Sequence, residues 1–220
     1  MRGHAACIHE LIAGGAEIDA RDSQTEATPL HQAADCNHPD SVKTLVDVYK
    51  ASVNAADKRG LSALHRAALT GNANVVETLL GFFQCDVNAV SCEGATALHI
   101  ACARGSVVCI YELAVHGACI ETKDNDGDTA LHQAAFSNHA DCVKILIEIC
   151  GASINAINNK CQTPLHCAVD KINIEAVQAL VSFPHCDIMI RDSDGDTAAD
   201  VARRRGHQGM MGLIEAKSEG

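Results

Sequence analysis

The chain contains no tryptophan, and aromatic residues make up only 3% of its 220 positions. A core so poor in rings has to be built from leucine, isoleucine, valine, alanine and cysteine, which suits slim helices packed closely together. The same scarcity argues against the stacked aromatic platforms that hold single-stranded nucleic acid. Positive charge is also short: 17 lysines and arginines face 28 aspartates and glutamates, giving a net charge of −11 and a pI near 5.4. Such a chain repels phosphate backbones, which argues against general nucleic-acid binding and favours partners with basic stretches on encounter.

No apolar run reaches the roughly 18 residues needed to span a bilayer. The opening Met1-Arg2-Gly3-His4-Ala5-Ala6-Cys7-Ile8-His9-Glu10 is interrupted by His and Glu too early for a signal peptide. No Asn-x-Ser/Thr sequon occurs. These absences lead to a cytoplasmic expectation, with the nucleus as the alternative compartment. The twelve cysteines then read as reduced thiols serving as small core residues, because a disulfide scaffold belongs to short exported chains. No Cys-x-x-Cys, His-Glu-x-x-His, Gly-x-Ser-x-Gly, phosphate-cradling glycine loop or dinucleotide fingerprint is present. The expectation is therefore no cofactor, no metal and no catalytic site. Asp124-Asn125-Asp126-Gly127-Asp128 and Asp192-Ser193-Asp194-Gly195-Asp196 imitate the start of a calcium loop. They carry Gly two places too early, and Ala135 or Arg203 where a bidentate Glu is required. They read as turns whose extra carboxylates point to solvent.

What the chain does have is a period. Thr28-Pro29-Leu30-His31 returns as Ser62-Ala63-Leu64-His65, Thr96-Ala97-Leu98-His99, Thr129-Ala130-Leu131-His132 and Thr163-Pro164-Leu165-His166. A degenerate copy follows at Thr197-Ala198-Ala199-Asp200, and successive starts differ by 34, 34, 33, 34 and 34 residues. A polar turn such as Asp57-Lys58-Arg59-Gly60 precedes each tetrapeptide. A small pair such as Ala67-Ala68 follows it, then a Gly or Asn, then an apolar helix such as Val75-Val76-Glu77-Thr78-Leu79-Leu80. A short segment read as extended, such as Val53-Asn54-Ala55 or Val87-Asn88-Ala89, closes the unit.

Each piece has a physical reason. Thr caps the first helix by accepting an orphan backbone N–H, and Pro at the next position already holds a helical φ. Paired alanines let that helix approach its neighbour, and Gly or Asn tolerates the left-handed conformation that ends it. Val75, Val76, Leu79 and Leu80 form one apolar face of the second helix. The Asp-x-x-Gly turn makes a tight hairpin between units.

This pattern resembles the ankyrin repeat family over nearly the whole chain. The resemblance implies an all-α solenoid of stacked helix-turn-helix units joined by β-hairpin loops, spanning 1–220 as one domain. Its parts are a partial unit at 1–20, units at 21–56, 57–90, 91–123, 124–157 and 158–191, and a C-terminal cap at 192–220 ending in Lys217-Ser218-Glu219. The missing first helix at the start reads as a cut from a longer array. Most units carry one extra residue, around Tyr49, Phe83, Cys150 and Pro184. The turns at Ser91 and at Asn158 to Cys161 lack the Asp or the Gly, so distorted hairpins are expected there. Arg203-Arg204-Arg205 reads as a solvated helix face.

The resemblance also implies a function: a protein–protein interaction module, acting as scaffold, adaptor or substrate-recruiting arm, that binds a protein or peptide on its concave hairpin and first-helix surface. The alternative is a regulatory portion of a larger enzyme or channel. The phrase Asp-Gly-Asp-Thr-Ala-Leu-His is similar to the ankyrin arrays of mind bomb ubiquitin ligases. A monomeric domain of a larger protein is expected. Carried onto matching positions, the contact residues implied are Lys58, Arg59, Leu61, Leu69 and Thr70, then Glu93, Ala95, Ala103 and Arg104. Asn125, Asp126, Asp128, Phe136 and Ser137 follow, then Asn159, Lys160, Gln162, Asp170 and Lys171, and lastly Ser193, Asp194, Asp196 and Arg204. Phe136 and Leu69 are the apolar members, and a basic residue of the guest is expected near the fourth or sixth tip. The five repeated histidines are implied to tie neighbouring hairpins together. Asn88, in Asp86-Val87-Asn88 after Leu80, is the position that best matches the family's asparagine hydroxylation pattern; Asn54 and Asn155 fit less well.

Overall fold

A computed structural model describes residues 3–217, with side chains from Cys7 onward. Ser218 and Glu219 of the expected polar end lie outside the described residues. Thirteen α-helices occur among them. The first helices of the units are α2 (Pro29–Asp35), α4 (Ala63–Thr70), α6 (Ala97–Arg104), α8 (Ala130–Phe136), α10 (Pro164–Asp170) and α12 (Ala198–Arg204). The second helices are α1 (Gly3–Ala13), α3 (Pro39–Lys43), α5 (Ala73–Phe82), α7 (Val107–Val115), α9 (Ala140–Glu148), α11 (Ile174–Val181) and α13 (Gln208–Ala216). The two sets form two parallel rows in which each helix packs on its counterpart in the next unit. Contacts are therefore local to neighbours, as in any solenoid.

The core lies between the rows. Leu30, Leu64, Leu98, Leu131 and Leu165 are buried from the first helices. Val76 with Leu79, Ile110 with Leu113, Val143 with Leu146, and Val177 with Leu180 are buried from the second. The alanine pairs are buried too, with Cys102 taking the place of one alanine. Cys109 and Cys142 fill one repeated position of the second helix. Burial pushes the Cys142 thiol up to about 11 and the Cys167 thiol to about 12, so these sulfurs are packing groups rather than nucleophiles.

Three sets of hydrogen bonds fix one unit on the next. In the first, the imidazole Nδ1 of His99 accepts the Thr96 backbone N–H at 3.1 Å and faces the Thr96 hydroxyl at 2.9 Å. With Nδ1 occupied as an acceptor, the ring proton sits on Nε2, which donates to the Asp128 carbonyl 3.0 Å away in the next hairpin. His31, His65, His132 and His166 repeat this geometry onto the carbonyls of Leu61, Ala95, Gln162 and Asp196. In the second set, a side chain at the close of each unit accepts a backbone N–H of the following unit. The pairs are Asp19 with Ser52, Asn54 with Asp86, Asn88 with Cys119, Glu121 with Ser153, and Asn155 with Asp187. In the third set, Asn72, His139 and Asn173 donate back to the last carbonyls of the preceding first helix, which have no partner within their own helix. The last unit breaks the first pattern: Asp200 accepts from Thr197 N and Oγ1 but has no proton to hand on.

Two expectations about the backbone change. The hairpins at Ser91 and Asn158 are regular, not distorted. Ser91 N donates to the Ala95 carbonyl and Asn158 N to the Gln162 carbonyl at 2.9 and 3.0 Å, matching Asp57 N to Leu61 at 2.9 Å. Ser91 Oγ and Asn158 Oδ1 accept the same turn N–H groups that Asp57 Oδ1 does, and Cys161 takes the left-handed φ of +55° in place of Gly. The closing segments around Asn54, Asn88 and Asn155 are turns and not extended, since Ala55, Ala89 and Ala156 N–H groups fold back onto the residue three places earlier. Beyond a single antiparallel bridge between Arg191 and Thr197, the described residues form no strand pairing. The extra residue near Tyr49 is absorbed by widening α3 into a π-helical turn over Thr44–Val48.

The five bridging histidines are held neutral, because burial depresses their pKa below the ordinary 6.5. A depressed folded pKa means that stability is complete above the unfolded value near 6.5 and is lost as pH falls through that value towards the folded one. Melting temperature is therefore expected to fall as pH drops below about 6.5, with the slope of more than one proton taken up on unfolding; a flat profile in differential scanning calorimetry would contradict it. A second expectation concerns Ile172, a β-branched residue at φ +64° and 50% exposed. The equivalent positions hold Asn37, Gly71, Gly105, Asn138 and Gly206, which accept that conformation. Ile172→Asn should raise stability by about 1 kcal/mol, read from the urea unfolding midpoint.

Candidate functional site

The hairpin tips are stacked by backbone bonds. The N–H groups of Lys58, Cys92, Asn125, Asn159 and Ser193 donate to the carbonyls of Thr25, Arg59, Glu93, Asp126 and Lys160 in the preceding tip, at 2.9 to 3.0 Å. Asn125 and Asn159 also turn their amides back, onto the Cys92 and Asn125 carbonyls, each at 3.0 Å. Gly127 shows why this spacing is tight: at φ +79°, a Cβ there would meet Asn159 Oδ1 at 2.5 Å. What remains free to vary is the set of tip side chains, with Arg59, Glu93, Asp126, Lys160 and Asp194 all exposed.

Between the tips and the first helices runs a series of three hollows. The first is lined by Arg59, Leu69, Glu93, Ala95, Ile100, Ala103 and Arg104, and measures about 350 Å³. The second, about 370 Å³, shares Glu93, Ile100 and Ala103 with it and adds Asp124, Asn125, Asp126 and Gln133. The third, about 300 Å³, shares Asp126 and continues through Asp128, Phe136, Asn159, Lys160, Gln162, Cys167, Asp170 and Lys171. Each is of a size to take a side chain or two, and shared walls join them into one trough.

Most of the expected contact residues line this trough, but the geometry corrects several. Leu61 lines the first hollow although it is only 4% exposed, and its carbonyl accepts from His31. Lys58, Thr70, Ser137, Asp194 and Asp196 lie outside the three hollows. Asp196 is paired with Arg204 at 2.8 Å. Asp128 does not point to solvent: it is half-buried and accepts from Asn158 Nδ2 at 2.8 Å, and burial raises its pKa. Nor do Asp124 and Asp192, whose Oδ1 atoms hold the turn N–H groups. Phe136 is 46% exposed, with the Lys171 ammonium 4.4 Å from its ring centroid. Asn88 is half-buried, its amide oxygen taking the Cys119 N–H at 2.8 Å. Among the described residues no group of three or more His, Cys, Asp or Glu is placed to hold a metal ion.

Sequence reasoning missed Ile100, Gln133 and Cys167, which form the floor of the trough. The signal was available: all follow the repeated histidine directly, where the residue changes from unit to unit. That position is matched to the turn. Arg66 reaches Asp57 Oδ2 at 2.6 Å and Gln133 Nε2 reaches Asp124 Oδ2 at 3.2 Å, each giving the second carboxylate oxygen a donor. Opposite apolar Ile100 and weakly polar Cys167, the turn begins with uncharged Ser91 and Asn158. Asp192, opposite Val201, keeps only hydrogen bonds to Oδ1. At Asp57 burial alone would raise the carboxyl, but the bonds from Arg66, Leu61 and Arg59 outweigh it and hold the pKa down. Arg66 also bonds Asp35 at 2.9 Å, so one guanidinium joins the two carboxylates in an ion-pair network.

Comparison with known proteins agrees with this geometry. A family model described as ankyrin repeats (3 copies) matches residues 1–90 and 81–158, and another, ankyrin repeats (many copies), matches 146–202. The rat nuclear factor NF-kappa-B p105 subunit is 31% identical over 112 residues, which is 49% of this chain and 11% of that protein. The Arabidopsis thaliana E3 ubiquitin-protein ligase KEG is 36% identical over 78 residues, 35% of this chain and 5% of that protein. The chain thus spans about a tenth or less of these relatives. The crystal structure of the ankyrin repeat domain of Bcl-3, a unique member of the IkappaB protein family, superposes with a TM-score of 0.79 at 27% identity. The match covers 96% of this chain and 91% of that one.

The pairing of turn and floor yields a double-mutant expectation. Ser91→Asp alone sets a carboxylate oxygen against Ile100 and should cost about 1–3 kcal/mol. Combined with Ile100→Gln, which restores the donor seen at Gln133, it should recover most of that loss. Additive effects in chemical denaturation would show that the two positions are independent.

Proposed function

Because the chain belongs to the ankyrin repeat family, we propose that it binds a partner protein through a peptide segment, extended or helical, laid along the trough of hairpin tips and first helices. One observation carries the reading: the three hollows share walls at Glu93 and Asp126, so a single guest can occupy successive units. Leu69, Ile100 and Ala103 offer an apolar seat at one end and Phe136 another further along. Exposed Asp126 between them favours a basic residue of the guest at the fourth tip. The sixth tip is a weaker attraction, since Arg204 already neutralises Asp196. Small clusters of buried apolar anchors ringed by polar groups dominate such interfaces. The fold is an interaction scaffold without its own chemistry, and we infer a monomeric role with no nucleic-acid or cofactor requirement.

A second reading follows from the short span of the chain relative to its relatives: the array recruits or regulates for a larger enzyme, such as a ubiquitin ligase, or a channel. The cytoplasm, or the nucleus, is the compartment in which either would act. Asn88 is the preferred hydroxylation position, although modification there requires the Asn88 bonds to Gly117 and Cys119 to open first. Intact mass after exposure to an asparagine hydroxylase would gain about 16 Da if this is right, and Asn88→Ala would abolish the gain.

The groove reading is tested by replacing Asp126, Asp128 and Phe136 with Ala together and measuring affinity for partners first identified by crosslinking to the native chain. A loss of about tenfold or more, roughly 1.4 kcal/mol, is expected. Unchanged affinity in a variant that melts normally disposes of the trough as the binding surface.

A further inference from the structure

The repeated units act as controls for one another on the outer row of helices. Counted from the residue capping each second helix, the second, fifth and ninth positions face outward. They are Asp40, Lys43 and Asp47 for α3; Asn74, Glu77 and Gly81 for α5; Asp141, Lys144 and Glu148 for α9; and Glu175, Gln178 and Ser182 for α11. All are exposed, and every one is charged, polar or glycine. The helix between α5 and α9 departs from this at all three positions. On α7 they are Val108, Tyr111 and Val115, exposed by 57%, 52% and 63%. Its inner face already buries Cys109, Ile110 and Leu113. A helix that is apolar on both sides has a second surface to cover.

The surroundings define what would cover it. The helices packed on either side are α5 and α9; Phe82 at the end of α5 and Ile149 just past the end of α9 are exposed too. Their outward faces supply Glu77, Asp141 and Glu148 against Lys144, and the Lys43 ammonium already sits 4.3 Å from the Phe82 ring centroid. The rim is therefore acidic on balance, on a chain of net charge −11. A second copy would bring the same carboxylates against these, and an anionic membrane surface would be repelled as well.

We propose that the outer face of α7 docks an amphipathic helix of a partner protein, with apolar residues at i, i+3 or i+4, and i+7 and with lysines or arginines on its flanks. The apolar ridge of Val108, Tyr111 and Val115 gives the contact its energy, and the acidic rim gives it sign. This surface is separate from the trough and does not rest on it.

Fluorescence anisotropy with two labelled 18-residue helical peptides tests this, both carrying a leucine face, one flanked by lysines and the other by glutamates. The native chain should prefer the lysine-flanked peptide, with affinity falling as salt rises. The variant Val108→Asp, Tyr111→Lys, Val115→Glu installs the residues that α9 carries at the same positions, so it should fold and melt like the native chain. Its affinity for the lysine-flanked peptide should drop about tenfold or more. With the peptide bound to the native chain, hydrogen exchange should slow across residues 107–115. Equal affinity for the two peptides, no binding at all, or exchange protection elsewhere overturns the proposal. So does sedimentation showing that the native chain dimerises through this face while the variant does not.

Discussion

From His31 onward, five successive units are each tied to the next by the single proton on Nε2 of a buried, neutral imidazole. The ring does two jobs because its nitrogens differ: Nδ1 receives the capping N–H of its own helix, and Nε2 donates to the next hairpin's carbonyl. No carboxylate could serve both ends, as Asp200 shows by satisfying its own cap and giving nothing onward. A protonated ring would keep the Nε2 bond but lose the cap, since Nδ1 could no longer accept. In a chain with almost no strand pairing, bonds of this kind replace the ladder of a sheet. Each contributes modestly, but leaving the buried groups unpaired would cost far more.

That arrangement frees other positions. Apart from Asn125, Asn159 and Arg66, the tip side chains, the residue after each histidine and the outward positions of the second helices carry little of the stacking, so their chemistry can change from unit to unit without unfolding the array. The turn and the trough floor are an exception, because a buried carboxylate at the turn is best met by a donor below it. An apolar floor at Ile100 accordingly goes with Ser91. Two surfaces emerge from the same logic: an inner trough with mixed apolar and charged seats, and an outer ridge on α7 where polar residues are replaced by Val108, Tyr111 and Val115.

Much of this was written in the period. The register of Thr-Pro-Leu-His and its variants placed the first helices, the alanine pairs and the bridging histidines, because each is a local backbone requirement met by one residue type. Local substitution rules were weaker where two chemistries can satisfy the same need. Ser91, Asn158 and Cys161 looked like defects, yet their side-chain oxygens and one tolerated positive φ reproduce the regular turn. Leu61, whose position follows the turn, lines the first hollow while staying almost fully covered.

The sequence alone determined the fold class and the positions of the bridging histidines, since each depends on residues within about one period of each other along the chain. Which side chains share a wall, and which faces stay uncovered, was decided only by tertiary structure. The trough brings Glu93 together with Arg59 and Asp126 with Lys160 across unit boundaries. The apolar ridge of α7 gains its meaning from the polar helices packed on both sides of it. Neither is a property of a single unit, because exposure depends on what the neighbouring units leave open.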